Sequence, residues 1–261
     1  MQSNFLNFKS GIARTPPCSM AQGITTQNIT IDVDLAREQH HQYLTALNEL
    51  GISISLLEPE ESLPDSHFVE DAAIIYKEQP ILLRPGALER RNEVECLRNS
   101  LKAQLKFLEL EKSDEGTVDG GDVLLMGEHV LIGISYRTNL VGAEALAAVL
   151  RTINPHLTIH FIEFSGVLHL KSGFVALNDK LLLGNPHIKL KRPLPIGEVI
   201  WLPAEEGYAA NTLVANGAAL VFAECTTTQA ILKQAKLKPI PLDMSEFRKM
   251  DGSFTCLSLL W

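Results

Sequence analysis

The sequence predicts an α/β ring built from five repeated units. Paired hydrophobic runs joined by tight turns begin near residues 73, 122, 173 and 212, in steps of 49, 51 and 39 residues. A period of that size signals an array of supersecondary units. Helix-spaced apolar residues follow three of the four pairs. The chain also carries an apolar run at each end. Paired with each other, the two ends would make a fifth unit and close the ring, removing the open sheet edges of a linear array. With 261 residues, 46% of them hydrophobic, the core is large enough to treat 1–261 as one domain. An ordinary α/β domain with coincidental spacing is the alternative.

The elements follow in chain order. Residues 4–16 read as a strand running into Pro16-Pro17. Residues 17–30 are polar, with Gly23 and several threonines, and read as a loop able to act as a lid. From Leu35 to Leu50, Tyr43, Leu47 and Leu50 recur at helix spacing and Gly51 ends the helix. Ile52–Leu57 reads as a strand, followed by a Pro/Glu-rich loop. The first hairpin pairs Ala73–Tyr76 with Pro80–Leu83, and its helix presents Val94, Leu97, Leu101 and Leu105 on one face. The second pairs Asp122–Met126 with Val130–Ile134, and its helix carries Ala143, Leu146, Leu150 and Ile153. The third pairs Gly173–Leu177 with Leu181–Leu183. The fourth pairs Thr212–Ala215 with Ala219–Phe222 across Asn216-Gly217, the strongest short hairpin signal in the chain. A helix from about 227 to 235 follows it. The tail after Asp251-Gly252 is too apolar to hang free in water and reads as a docked strand headed by Cys256.

Composition excludes several function classes. The net charge of −8, with no basic run, argues against a nucleic-acid partner. No segment is long and apolar enough to span a bilayer, and the first residues lack signal-peptide order. The cytoplasm is the expected compartment. The cysteines at 18, 96, 225 and 256 show no paired spacing and are expected as free thiols. Neither C-x-x-C nor H-E-x-x-H occurs, so no metal site is expected.

Polar residues collect just before each hairpin. Asp65, Glu70 and Asp71 precede the first, and Asp119-Gly-Gly-Asp122 opens the second. His169-Leu-Lys171-Ser172 precedes the third, Tyr208-Ala-Ala-Asn211 the fourth, and Cys256 heads the last strand. Taken singly, each has a plain structural reading: a core thiol, an interior histidine, turn aspartates. In a closed ring the equivalent positions face one axis. They would then gather a nucleophile, a general acid/base and orienting carboxylates in one pit.

These residues also carry a resemblance. Phe68-Val-Glu-Asp71, Leu83-Arg-Pro-Gly-Ala87 with Arg90-Arg91, and Thr117-Val-Asp-Gly-Gly-Asp122 resemble stretches of the dimethylarginine dimethylaminohydrolases. So do Ser135-Tyr-Arg-Thr-Asn139, Leu168-His-Leu-Lys171 and Lys249-Met-Asp-Gly-Ser-Phe-Thr-Cys256. These enzymes belong to the guanidino-group-modifying superfamily, with its five-fold pseudosymmetric ββαβ propeller of pentein type. The resemblance runs from about Ile12 to Leu260.

It implies Cys256 as nucleophile, His169 as general acid/base and Asp119 as the histidine's carboxylate partner, where relatives often have a glutamate. It implies that Asp71 grips the guanidinium with support from Glu70. Arg90 and Arg137 would bind the substrate α-carboxylate. Asp65 and the Met20 carbonyl would form the α-amino site, and Met250 would add another carbonyl. The implied reaction is hydrolysis of an N-ω-methylated arginine to citrulline and methylamine or dimethylamine through a thiouronium on Cys256, with no cofactor. The partner is a small guanidino amino acid, and a homodimer is compatible with the sequence. Alternatives are an arginine deiminase or amidinotransferase of the same superfamily, and a catalytically inactive ligand-binding propeller. The thiol argues against the last.

Overall fold

The computed structural model describes residues 4–27, 29–102, 106–110 and 115–261. The described residues form five small sheets of one topology. In each, an antiparallel pair is extended by a third strand running parallel to the second. The first sheet joins the chain's two ends. β1 (Ser10–Arg14) leads through α1 (Val33–Glu49) to β2 (Ser53–Leu57), which lies parallel to it. The predicted strand over 4–16 is therefore shorter, and Asn4–Leu6 forms a 3-10 turn instead. Asp32 caps α1 by accepting from the Leu35 amide at 3.0 Å. Gly51 leaves the helix at φ +80°, a conformation that favours glycine.

In the second sheet β3 (Ala73–Tyr76) turns into β4 (Gln79–Leu82), and α2 (Arg91–Leu101) leads to β5 (Leu108–Glu109). Leu105, expected on this helix, lies outside the described residues. The third sheet has β6 (Val123–Met126), β7 (His129–Ile134), α3 (Leu140–Ile153) and β8 (Thr158–Ser165). The fourth begins with α4 (Leu170–Gly173) and contains β9 (Phe174–Ala176) and β10 (Leu181–Gly184). Its crossover carries β11 (Lys189–Leu190) in place of a helix before reaching β12 (Glu198–Trp201). β11 pairs with β8 of the neighbouring sheet. The fifth has β13 (Leu213–Ala215), β14 (Ala218–Phe222), α5 (Thr226–Gln234) and β15 (Lys238–Leu242). Asn216 and Gly217 both take positive φ, as the two-residue hairpin turn requires. α6 (Ser245–Arg248) then delivers the chain to β16 (Ser258–Leu260). β16 pairs antiparallel with β1, setting Ile12 opposite Leu259.

A short helix stands at the head of every first strand. Phe254–Leu257 precedes β16, Val69–Asp71 precedes β3, Gly120–Asp122 precedes β6, α4 precedes β9 and Ala204–Ala210 precedes β13. Each touches the next, from 254–257 through 69–71, 120–122 and α4 to 204–210. Ser253 and Thr255 close the circle through Asn211. The ring expected from the repeat spacing is thus a ring of strand heads, and every polar cluster noted in the sequence lies on it. The apolar cores pack against this ring and draw residues from its heads, among them Phe254, Leu170 and Val69. The largest lies under α1 and β14, where Tyr43, Leu47, Phe222, Phe247 and Phe254 are fully enclosed.

Candidate active site

His169 stands just before α4 with extended backbone, so its side chain projects from the head of the fourth unit. Its Nε2 lies 3.0 Å from Asp119 Oδ2, and the shorter aspartate reaches it without an intermediary. Asp119 is wholly enclosed. Its Oδ1 accepts from the Gly86 amide at 2.7 Å, and its own amide donates to Thr138 Oγ1 at 3.1 Å. Two glycines make room for this arrangement. A Cβ on Gly120 would sit 1.9 Å from the Glu70 carbonyl oxygen, and one on Gly121 would sit 2.6 Å from His169 Nδ1.

Asp71 comes from the 69–71 head, which touches the 120–122 head, with Oδ1 4.0 Å from His169 Nε2 and accepting from the Gly121 amide at 3.1 Å. Burial alone would push the His169 pKa down. The Asp71 charge, the Asp119 hydrogen bond and the charge of Asp122 outweigh it and lift the imidazole to about 9. Asp71 is held at about 2, because His169 and Arg90 together overcome its burial. Imidazolium and carboxylate are therefore the resting forms at neutral pH.

Cys256 sits in the short helix Phe254–Leu257, half-buried, with its amide donating to the Ser253 carbonyl at 3.2 Å. Burial, then the charges of Glu70 and Asp71, push its thiol up to about 12, against the opposing effects of a Ser253 backbone hydrogen bond and then of Lys171. The resting sulfur is protonated. A cation seated on Asp71 would cancel the charge that opposes ionisation. The site thus pairs a neutral nucleophile with a ready acid and awaits a positive ligand. Asp71, Asp119 and His169 also lie close enough together to offer three ligands to a metal ion, the one such trio among the described residues.

The remaining predicted residues divide. Asp65 is buried, and its carboxylate receives the Ile24 amide at 3.0 Å. Met20 is enclosed, its carbonyl accepting from Gly23 at 2.9 Å, and Met250 packs beside Gly23. Residues 17–30, apart from 28, are not a free loop. Cys18–Gln22 is a 3-10 helix. Beyond it Thr26 donates its amide and hydroxyl to Asp251 at 2.7 and 2.9 Å, and Thr25 Oγ1 donates to the Lys249 carbonyl at 2.8 Å. The segment is docked on the turn that leads to Cys256.

Arg90 and Arg137, expected to bind the substrate α-carboxylate together, stand in different surroundings. Arg90 is buried. It bonds Asp71 through Nη1, Glu93 through Nε and Nη2, and the Asp65 and Phe68 carbonyls through Nη2. Arg137 is half-buried, and its Nη1 has no hydrogen-bond partner. Glu70, expected to support the guanidinium end, holds Lys171 Nζ at 2.6 Å on one oxygen and Thr255 Oγ1 at 2.8 Å on the other.

Sequence reasoning missed Glu93 as part of the site and gave no role to Thr138, Asp251, Thr255 and Asn211. Asn211 was marked by its place at a strand head, Asp251 by its turn with Gly252, and Thr138 and Thr255 by the motifs that contain them. Glu93 sits on a helix face and acts through Arg90, which no local pattern announces. Asp122 was seen but not assigned. It receives Ser135 Oγ at 2.6 Å and the Leu170 amide at 2.9 Å, and so anchors the segment carrying His169.

A family model described as arginine deiminase matches residues 61–192. The N(G),N(G)-dimethylarginine dimethylaminohydrolase of Pseudomonas aeruginosa is 35% identical, over 97% of this chain and 99% of its own length. The enzyme of the same name from Streptomyces coelicolor is 33% identical over 96% of each. A solved structure of DDAH from Pseudomonas aeruginosa, a cysteine-to-serine mutant complexed with citrulline, superposes with a TM-score of 0.90 at 34% identity, covering 98% of this chain and all of that one. Full-length identity of this order, on the same ring, means that the chain belongs to the dimethylarginine dimethylaminohydrolase family.

Proposed function

We propose that this chain hydrolyses N-ω-methylated arginine to citrulline and methylamine or dimethylamine. The observation that carries the reading is the convergence of Asp71 and the Asp119–His169 pair from touching heads of the ring, with Cys256 on the head that touches Asp71's own. The substrate guanidinium docks on Asp71. Its charge offsets the carboxylates that hold the thiol protonated, and Cys256 releases its proton to solvent as the cation docks, His169 keeping its own. Sγ attacks the guanidinium carbon, which becomes tetrahedral. His169 gives its proton to the departing amine, which cannot leave as an anion. Collapse leaves a thiouronium on Sγ. Water, deprotonated by the now neutral His169, attacks the same carbon, the C–S bond breaks, and citrulline leaves. Asp119 keeps the ring of His169 in place through both steps.

Arg137, with an unpartnered Nη1, receives the α-carboxylate. Arg90 joins it only by yielding its place on Asp71 to the incoming guanidinium. Asp65 and the Met20 carbonyl hold the α-amino group, Met250 adds main-chain contact, and residues 17–30 close over them as a lid.

Citrulline formation from asymmetric dimethylarginine, monomethylarginine and arginine tests the proposal side by side. Either methylated substrate should exceed arginine by at least about tenfold in kcat/KM. Cys256→Ser should reduce turnover to background while still binding substrate, since no strong base is present to make an alkoxide. The arginine deiminase family match supports the rival reading. Arginine as the best substrate would establish that rival and end the proposal.

A further inference from the structure

A second layer of side chains lies behind the residues that face the substrate. Glu70 precedes Asp71, Lys171 follows His169 by two positions, Thr255 precedes Cys256, and Asn211 comes from the fifth unit. These four are bonded in one chain. Lys171 Nζ donates to Glu70 Oε1 at 2.6 Å, Thr255 Oγ1 donates to Glu70 Oε2 at 2.8 Å, and Thr255 Oγ1 lies 2.9 Å from the Asn211 side-chain amide. All except Lys171 are buried, and the Lys171 side chain is only 16% exposed. A hydroxyl has one proton to give. With Glu70 ionised against Lys171, that proton goes to Glu70, and the bonding balances when Asn211 turns its amide nitrogen toward Thr255.

The chain ties together three of the ring's heads and backs the fourth. Glu70 holds the 69–71 turn, Lys171 lies in α4, and Thr255 lies in the turn of the nucleophile. Asn211 also accepts Ser253 Oγ on its carbonyl at 2.7 Å, on the near side of the same turn. Cys256 therefore has a bonded residue directly before it and another three positions earlier.

We propose that Lys171 is a positioning residue for Cys256: it neutralises Glu70 behind the sulfur and, through Glu70 and Thr255, fixes the turn that carries the thiol. The inference deepens the reading of Cys256 as nucleophile and rests on it. Four ionisable groups act on the sulfur from the packed elements: Glu70 and Asp71 from the 69–71 turn, Lys171 from α4 and the enclosed Tyr43 from α1. Asp71 keeps its own cations, Arg90 and the His169 imidazolium, whereas removal of Lys171 leaves the buried Glu70 carboxylate with only the Thr255 hydroxyl. Burying such a charge unpaired is costly, and its field disfavours the thiolate.

The test is alkylation of Cys256 by iodoacetamide in the full chain, read by mass spectrometry from about pH 7 to about pH 10, because only the thiolate reacts. Lys171→Met should slow alkylation by about tenfold at a given pH, equivalent to a limb displaced upward by about one unit. Lys171→Arg should stay within about threefold of wild type. The double variant Glu70→Gln with Lys171→Met removes both charges and should recover most of the lost rate. Glu70→Gln alone should be alkylated faster than wild type, an opposite sign that a merely structural role does not produce. Thr255→Val leaves the charges in place, so its alkylation limb should not move, while kcat for citrulline formation falls by about tenfold at nearly unchanged KM.

Wild-type alkylation in Lys171→Met, a double variant no faster than that single one, or wild-type kcat in Thr255→Val would each overturn the proposal. If Lys171→Met fails to fold by circular dichroism, the sign of the Glu70→Gln effect and the Thr255→Val split decide it. Alkylation does not require the substrate to be known. The expected alkylation pattern without citrulline from any arginine derivative would therefore sink the functional reading and leave the Lys171 assignment standing.

Discussion

Replacing Asp119 by asparagine tests how His169 is held ready. The carboxylate serves two donors, His169 Nε2 at 3.0 Å and the Gly86 amide at 2.7 Å, one on each oxygen. An amide has only one oxygen, so one of those bonds is lost and the charge goes with it. The rise of the His169 pKa from 6.5 to about 9 corresponds to about 3 kcal/mol favouring the imidazolium. Asp71 contributes most, and Asp119 adds both a hydrogen bond and a charge. Assigning roughly a third to a half of the total to Asp119 gives about 1–2 kcal/mol. The basic limb of kcat/KM should then move from near pH 9 toward about pH 8. The rate at its optimum should fall by about 10- to 100-fold as the acid loses its orientation. Asp119→Glu keeps the charge and should keep the limb. Citrulline release against pH for the three proteins is the assay. A large rate loss with an unmoved limb would mean that Asp119 only shapes the Gly86 turn. An unchanged rate would remove it from the mechanism.

Arg137→Ala should raise KM by about tenfold or more with little change in kcat, since a charge-assisted bond to a carboxylate is worth about 1.5–3 kcal/mol; an unaltered KM in steady-state assays refutes its carboxylate role. Asp251→Gly keeps the left-handed turn at φ +58° but removes the acceptor that Thr26 uses. KM should rise and residues 17–30 should exchange amide hydrogens faster, and unaltered exchange would show that Asp251 does not hold that segment down. The enclosed His40, its pKa pushed down to about 4 by burial and then by His41, makes stability depend on pH. Below about 6.5 the unfolded chain binds the proton first, so stability falls from there toward pH 4, by about 3 kcal/mol for His40 alone. His67 is lowered too and adds in the same direction. Urea midpoints at neutral and mildly acid pH check this, and a His40→Leu variant with an undiminished acid loss would refute the assignment.

The sequence by itself determined the hairpins, because alternating apolar runs and turns such as Asn216-Gly217 act over a few residues. Their spacing then determined the ring, since a repeated unit must bury the same face each time against its neighbour. It also marked Cys256, His169, Asp71 and Asp119, because polar residues recur at one position of each unit. Short strands joined by crossovers were less legible: β5 has two residues, and β11 stands where a repeat would put a helix. A strand that short is specified by its partner rather than by its own pattern.

Only the tertiary structure decided what each polar residue touches. It enclosed Arg90 between Asp71 and Glu93 and left an Arg137 nitrogen unpartnered, although both look alike in sequence. It bonded Glu70 to Lys171 and Thr255, 101 and 185 positions along the chain. It docked residues 25–27 on Asp251, more than 220 residues away. Such choices depend on which charges share a low-dielectric space and which donors remain after the backbone is satisfied. Both are properties of the closed ring, and no segment carries them alone.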